Sequence, residues 1–359
     1  FTAVLSILSL FCLTSSQIAA SGTVVSTLTG IPMNVALVIA GIVVILYTTF
    51  GGMIADQISD MVQFIVILAG LAIATPFVIK GCGGWEAISA ALPGEQLSVT
   101  KIGWVPIFGY IFNYFCTFLA GPEMVSRFET AKDEKTARNA SWLSAILMAA
   151  MSIFPTLLGL AALSLKDQIP MLAENGSNAM MAVTSQFAPG AIVGLISAAI
   201  ICATMSSADS NLLCMSTIII NDLYLGLGKK KELSEKRIIF VTRMCNVVAA
   251  VVAMFISMLG VPIAVMNTFA FGIRCAGPFA AYGLGLVVPN ATKNAGVVSL
   301  IAGTIGFCFW QWLTGGDLAK GWGILPVVFG CAVSVVVFFV VNAIERKRGV
   351  APAPSAYVD

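Results

Sequence analysis

Apolar stretches long enough to cross a bilayer follow one another through most of this chain, and that repetition constrains its fold more than any motif does. A hydrocarbon core is ~30 Å thick, so a crossing helix needs ~20 largely apolar residues. Ten such segments can be marked, near 1–27, 32–50, 57–80, 104–122, 141–165, 189–221, 238–259, 262–288, 294–314 and 322–344. With 58% hydrophobic and only 10% charged residues, the chain lacks the charge to cover a water-facing surface, for which soluble domains use ~25%. Its 33 glycines and 14 prolines suit membrane helices, which hold both more often than soluble helices do. The expected class is an all-α polytopic membrane protein with the lipid bilayer as its solvent.

The same composition excludes several functions. With no histidine there can be no imidazole-based triad, H-E-x-x-H zinc site or imidazole proton relay. The nine cysteines form no CxxC and sit mostly inside apolar runs, where they read as small core hydrophobes rather than metal ligands. Gly226-Leu227-Gly228-Lys229 lacks P-loop spacing, so ATP-driven pumping is not expected. No nucleophile–base pair stands out, so the chain is not expected to be an enzyme. Arg127, Lys132, Lys135 and Arg138 are interleaved with Glu129, Asp133 and Glu134, which suits a solvated connection and not a nucleic-acid patch.

Lys and Arg placement gives an expected orientation. Taking alternate connections, one side collects the 127–138 and 229–237 runs, Lys293 and Arg346-Lys347-Arg348. The other side holds only Lys80, Lys101, Lys166 and Lys320. The basic side is expected to be cytoplasmic, with residues 1–348 forming a transporter-like membrane domain and 349–359 a flexible cytoplasmic tail. Phe1 stands inside an apolar run with no initiator Met, so the natural N-terminus is expected to lie upstream.

Polar groups at membrane depth are costly and mark sites worth explaining. The densest cluster is Ala203-Thr204-Met205-Ser206-Ser207-Ala208-Asp209-Ser210-Asn211. Positions i, i+3 and i+4 share a helix face, so the Ala203 carbonyl and the Ser206 and Ser207 hydroxyls can converge. Three neutral oxygens suit a hard monovalent cation, although back-bonding and helix packing explain Ser and Thr there equally well. Asp209 and Asp60 are ion-coupling candidates, by attraction or by titration. The Gly51-Gly52 pair allows a tight turn between two spans, after which Asp56 or Ser59 would serve as a helix N-cap. Pro122 and Pro278 each remove a backbone donor and are expected to break their helices. Arg274 lies near the midplane of its span and needs a carboxylate, a carbonyl or a bound anion. Tyr110, Tyr114, Phe115 and Phe118 form an aromatic stripe just before the Pro122 break.

Together these residues resemble the sodium/solute symporter family of proline, pantothenate, choline and sugar carriers. Tyr47-Thr48-Thr49-Phe50-Gly51-Gly52-Met53-Ile54-Ala55, then Ser59-Asp60-Met61-Val62-Gln63, looks like that family's Y-x-x-x-GG-x-x-A … T/S-D-x-x-Q stretch. Gly121-Pro122 leading to Arg127-Phe128 and Ala131-Lys132 is similar to the sequence after its broken helix. The 203–210 cluster, followed by Asn221-Asp222-Leu223-Tyr224, is similar to its sodium-site helix. The resemblance implies a leucine-transporter-like five-plus-five inverted repeat with accessory helices, the first core helices lying upstream of Phe1. It implies that Ala203, Ser206 and Ser207 hold Na+, that Asp60 is linked to sodium dependence, and that Tyr114, Thr117, Phe118 and Gly121 line the solute cavity. Arg274 joins these as a further solute-binding candidate, although Asn290-Ala291-Thr292-Lys293-Asn294-Ala295-Gly296 follows the family pattern only approximately there. The implied activity is sodium-coupled import of a small organic solute (amino acid, carboxylate, choline-like or sugar-like) across the plasma membrane. Proton coupling through Asp60 or Asp209, or a transporter-like membrane sensor, are the alternatives.

Overall fold

The computed structural model describes residues 1–169, 172, 176–226 and 234–353, and among them the only regular elements are helices. They are α1 (Thr2–Thr29), α2 (Met33–Gly81), α3 (Gly84–Ala91), α4 (Trp104–Ala120), α5 (Pro122–Glu129), α6 (Glu134–Met151) and α7 (Ile153–Ser164). These are followed by α8 (Ala179–Phe187), α9 (Gly190–Ile218), α10 (Glu235–Ser257), α11 (Ile263–Ala276), α12 (Lys293–Thr314) and α13 (Pro326–Lys347). Among the described residues, eight helical stretches are long and apolar enough to cross a membrane, and α4 with α5 makes a ninth if the bent pair is counted as one span. The ten expected segments are all helical. The 32–50 and 57–80 segments both fall within the single 49-residue helix α2. Large apolar side chains such as Leu46, Ile65, Phe115, Phe240, Ile305 and Trp312 lie exposed, as expected of surfaces that acyl chains cover.

The chain divides into two compact units. One comprises Phe1–Ser9, Ile102–Arg127 and Asn267–Asp359; the other comprises Leu10–Lys101 and Phe128–Met266. In the second, α2 and α9 form the most extensive pair, with Leu71, Ala74, Val78, Ile196 and Ala199 buried along it. Gly70 makes this approach possible, because a Cβ there would lie 2.6 Å from the Ala199 Cβ. The Ser/Thr-rich part of α1 faces protein: Thr14, Ser15 and Ser16 are fully buried. Farther along α1, the Ser21 and Thr204 hydroxyls share a 2.6 Å hydrogen bond. Outside the apolar spans, Asp133 caps α6 by accepting from the Thr136 N–H at 2.7 Å. That bond holds the Asp133 carboxyl below its ordinary range, so its support for the helix is full near neutrality and fades as the pH falls through the lowered value.

Two expectations fail in instructive ways. The Gly51-Gly52 turn does not form, because helical backbone continues through 50–55 within the 49-residue α2. Glycine permits a turn but only disfavours a helix by ~1 kcal/mol. Asp56 and Ser59 therefore cap nothing, since an N-cap needs non-helical backbone at a helix start. Nor does Pro278 split its span: Gly277 is a single turn residue, followed by a π-helical stretch, Ala280–Leu284, within one apolar helix Ile263–Leu284. Beside the proline, the Gly277 carbonyl accepts from the Ser334 hydroxyl at 3.0 Å.

In the first unit, α11, α12 and α13 meet backbone to backbone. A Cβ on Gly303 would lie 2.5 Å from the Ala276 carbonyl oxygen and 2.6 Å from the Ser334 Cβ, and one on Gly330 would lie 2.7 Å from the Ala276 Cβ. Such small-residue contacts are how membrane helices gain dispersion energy without a hydrophobic driving force. Gly303→Ala is expected to destabilise the protein by about 1–3 kcal/mol through overpacking, read as a lowered unfolding temperature in detergent.

Candidate functional site

On α9 the three oxygens singled out in the sequence do converge. The Ser206 Oγ donates to the Ala203 carbonyl at 3.2 Å and the Ser207 Oγ donates to the same carbonyl at 3.3 Å. These are the i→i−3 and i→i−4 back-bonds that helical serines ordinarily make. Both serines are half-buried, and the Ala203 side is exposed. The regular helix positions all three, and its next turn leads down to Asp209.

One turn further along lies a group of carboxylates. Asp56, Asp60 and Asp209 each present an oxygen within 4.8 Å of the other two. Asp209 is 1% exposed and Asp56 7% exposed. The Asp209 Oδ1 accepts from the Ser210 N–H at 2.7 Å, and the Ser210 Oγ lies 3.5 Å from the Asp56 Oδ2 while donating to the Ser206 carbonyl at 3.0 Å. Nearby on α2, the Tyr47 hydroxyl donates to Ser59. Sequence reasoning found Asp60 and Asp209 but took Asp56 for a cap. Asp56, Asp60 and Gln63, at i, i+4 and i+7 on one helix face, were the signal for the third carboxylate.

The solute-binding candidates lie in the other unit, around the break at Pro122. Helix α4 gives way at Gly121, whose backbone is extended (φ −71°, ψ 119°), and the bent pair turns through 49°. The break thus falls where the missing proline donor requires it. Glycine is needed at 121, because a Cβ would lie 2.7 Å from the Thr117 carbonyl oxygen and 3.3 Å from the Arg274 Nη2. Tyr114 stacks on Phe118 with centroids 6.4 Å apart and meets Phe271 at 5.7 Å, leaving both Tyr114 and Phe118 partly exposed. Thr117 is turned inward, 1% exposed, with its hydroxyl 3.5 Å from the Cys275 Sγ.

Arg274 finds the carboxylate that its charge requires. Its Nη2 lies 2.7 Å from Glu123 Oε1 and its Nη1 donates to Oε2 at 2.8 Å, with both residues buried. The guanidinium also lies 5.4 Å over the Phe271 ring, a cation–π contact. Glu123 is the functional residue that the sequence reading left unassigned. It stands in the first turn of α5, where the helix dipole favours an acid, and an acid directly after a mid-membrane proline was the available clue. The Asp209 cluster and the Arg274 pair belong to different units.

The profile of the sodium:solute symporter family matches residues 1–303. The sodium/proline symporter of Staphylococcus aureus is 24% identical over 357 aligned positions, covering 94% of this chain and 67% of that protein. The homologue from the bovine RF122 / ET3-1 strain matches equally. Among solved structures, a Na+-coupled sialic acid symporter in a substrate-bound, outward-open state superposes with a TM-score of 0.75 at 21% identity, over 98% of this chain and 75% of that one. That likeness bears out the leucine-transporter-like fold implied by the sequence.

Breaking the buried pair from one side strands a charge. Glu123→Ala is expected to cost about 3–5 kcal/mol, and adding Arg274→Met to it should recover most of that loss, both measured by thermal unfolding in detergent.

Proposed function

The chain belongs to the sodium:solute symporter family, with sodium as the co-transported ion, and from that premise we propose that it imports a small organic solute down the sodium gradient across the plasma membrane, with its C-terminus cytoplasmic. The observation that carries the reading is the convergence of the Ala203 carbonyl with the Ser206 and Ser207 hydroxyls on one turn of α9. These oxygens supply half of a sodium shell, and further protein oxygens or water complete it. Sodium binding there favours the solute-ready state, and solute then closes the cavity beside the Gly121 break before both are released inside. A membrane potential of 100 mV contributes ~2.3 kcal/mol per charge moved, so one sodium supports roughly fifty-fold accumulation from voltage alone.

Tyr114, Phe118 and Gly121 are the solute-facing residues in this reading: the two aromatics are open enough to contact a ligand and the glycine is the hinge between them and Arg274. Thr117 acts from behind, holding α4 against Cys275. Arg274 contributes through its pair with Glu123, which is close to neutral as a unit. A site lined by that pair favours neutral or zwitterionic solutes over simple anions, because an anion would have to displace Glu123 from a bidentate contact. Within the classes named above, this points towards amino acids or sugars rather than simple carboxylates.

Proton coupling through Asp60 of α2 or Asp209 of α9 is the competing reading. Uptake into proteoliposomes under separately imposed sodium and pH gradients distinguishes the two, with labelled proline, pantothenate, choline and sugars in competition to define the solute. The Ser206→Ala, Ser207→Ala double variant is expected to raise the sodium concentration for half-maximal uptake by at least about tenfold. Uptake that follows pH and ignores sodium would overturn the reading.

A further inference from the structure

The base of α13 gathers positive charge on a rigid frame. Arg346, Lys347 and Arg348 lie exposed at its C-terminal end, and Lys293, also exposed, opens the neighbouring α12. In that first turn the helix dipole disfavours a cation, so α12 itself gives no reason for the charge. Two bonds clamp the helix ends together. The Thr292 N–H donates to the Asn342 Oδ1 at 3.0 Å, and the Asn294 Nδ2 donates to the Glu345 Oε1 at 2.6 Å. Beyond α13 the chain turns back at Gly349 (φ +75°), and the Ala353 N–H donates to the Ala291 carbonyl at 2.8 Å. Four cations thus share one rim with the carboxylate of Glu345, which Asn294 already engages.

The face of α13 that leads to this rim is apolar. Val336, Val340, Ile344 and Lys347, at i, i+4, i+8 and i+11, share one side of the helix, and all four are exposed. At 1.5 Å per residue, Lys347 stands ~16 Å from Val336, about half the depth of a ~30 Å hydrocarbon core. Val336 also lines an apolar groove of about 860 Å3 between α4 and α13, where Phe108, Phe112 and Phe115 stand opposite Val328 and Val335. A cationic end joined to an apolar path one leaflet deep matches one kind of amphiphile. From this juxtaposition we infer a site for an anionic phospholipid, its phosphate held by Lys293, Arg346, Lys347 and Arg348, and one acyl chain running along Ile344, Val340 and Val336 into the groove. Guanidinium and ammonium groups hold phosphate through charge-assisted hydrogen bonds, and basic residues at a membrane surface attract anionic lipid. A chain in the groove ties α13 to α4, the helix that leads to the Gly121 break.

The test titrates the full chain in detergent with phosphatidylglycerol or with phosphatidylcholine of the same acyl chains, and follows bound lipid by native mass spectrometry. Thermal unfolding in phosphatidylcholine nanodiscs with and without phosphatidylglycerol is the second readout. Phosphatidylglycerol is expected to bind at least about tenfold more tightly and to raise the unfolding temperature, an advantage that shrinks in ~1 M NaCl. Lys347→Gln with Arg348→Gln and, separately, Lys293→Gln with Arg346→Gln should each weaken its binding about twentyfold, at roughly fivefold per charge removed. Lys347→Arg, which keeps the charge, and Lys320→Gln, in the turn before α13, should leave binding within about twofold. Inorganic phosphate at equal concentration shares the headgroup chemistry but has no chain, and should leave the lipid bound. Two double variants are used so that a folding failure in one, visible by size-exclusion chromatography, leaves the other as the test. Equal affinity for the two lipids, displacement by phosphate, or unaltered binding in both double variants would each overturn the proposal. So would a stable dimer that excludes phosphatidylglycerol, which would assign the groove to a second copy of the chain.

Discussion

Hydrocarbon offers a polar group nothing to bond with, and most of this structure follows from that one fact. Backbone amides there must be satisfied within the segment, which leaves helices as the available elements. Hydroxyls turn back onto their own helix, as Ser15 does on the Phe11 carbonyl at 2.7 Å and Thr75 on the Leu71 carbonyl at 2.7 Å. A guanidinium that cannot shed its proton must hold a carboxylate, and Arg274 holds Glu123 in a two-bond clamp. Next to Pro278, the Ser334 hydroxyl satisfies the Gly277 carbonyl across to a neighbouring helix.

Against that background, the clustered oxygens carry information. The α9 helix presents two successive sets: a carbonyl with two hydroxyls, then a carboxylate that meets two more from α2. In the proposed reading, the neutral set holds the sodium ion that must be released every cycle.

How much of this was legible in the sequence depended on the range of the physics involved. Hydrophobic run length located the helices, and the i, i+3, i+4 rule brought Ala203, Ser206 and Ser207 together, because both are local properties of one segment. The Pro122 break was readable for the same reason. What escaped required contact between segments. Asp56 looked like a cap because Gly51-Gly52 looked like a turn, and only the packing of α2 on α9 shows a continuous helix with Asp56 facing Asp209. Glu123 was in plain view beside Pro122, yet nothing local says that Arg274, 151 residues away, reaches it. The broken helix expected at Pro278 did not form, since helical backbone resumes directly after the single turn residue Gly277.

The glycine contacts among α11, α12 and α13 have a mechanical corollary. Where Gly277, Gly303 and Gly330 let main chains touch, no compliant side chains lie between the helices to be compressed or re-rotamered. Sliding one past another would drive carbonyls into Cα atoms. The three helices should therefore travel as a stiff plate, and any rocking in this unit must be taken up at its softer seams, of which the extended peptide at Gly121 is the most evident.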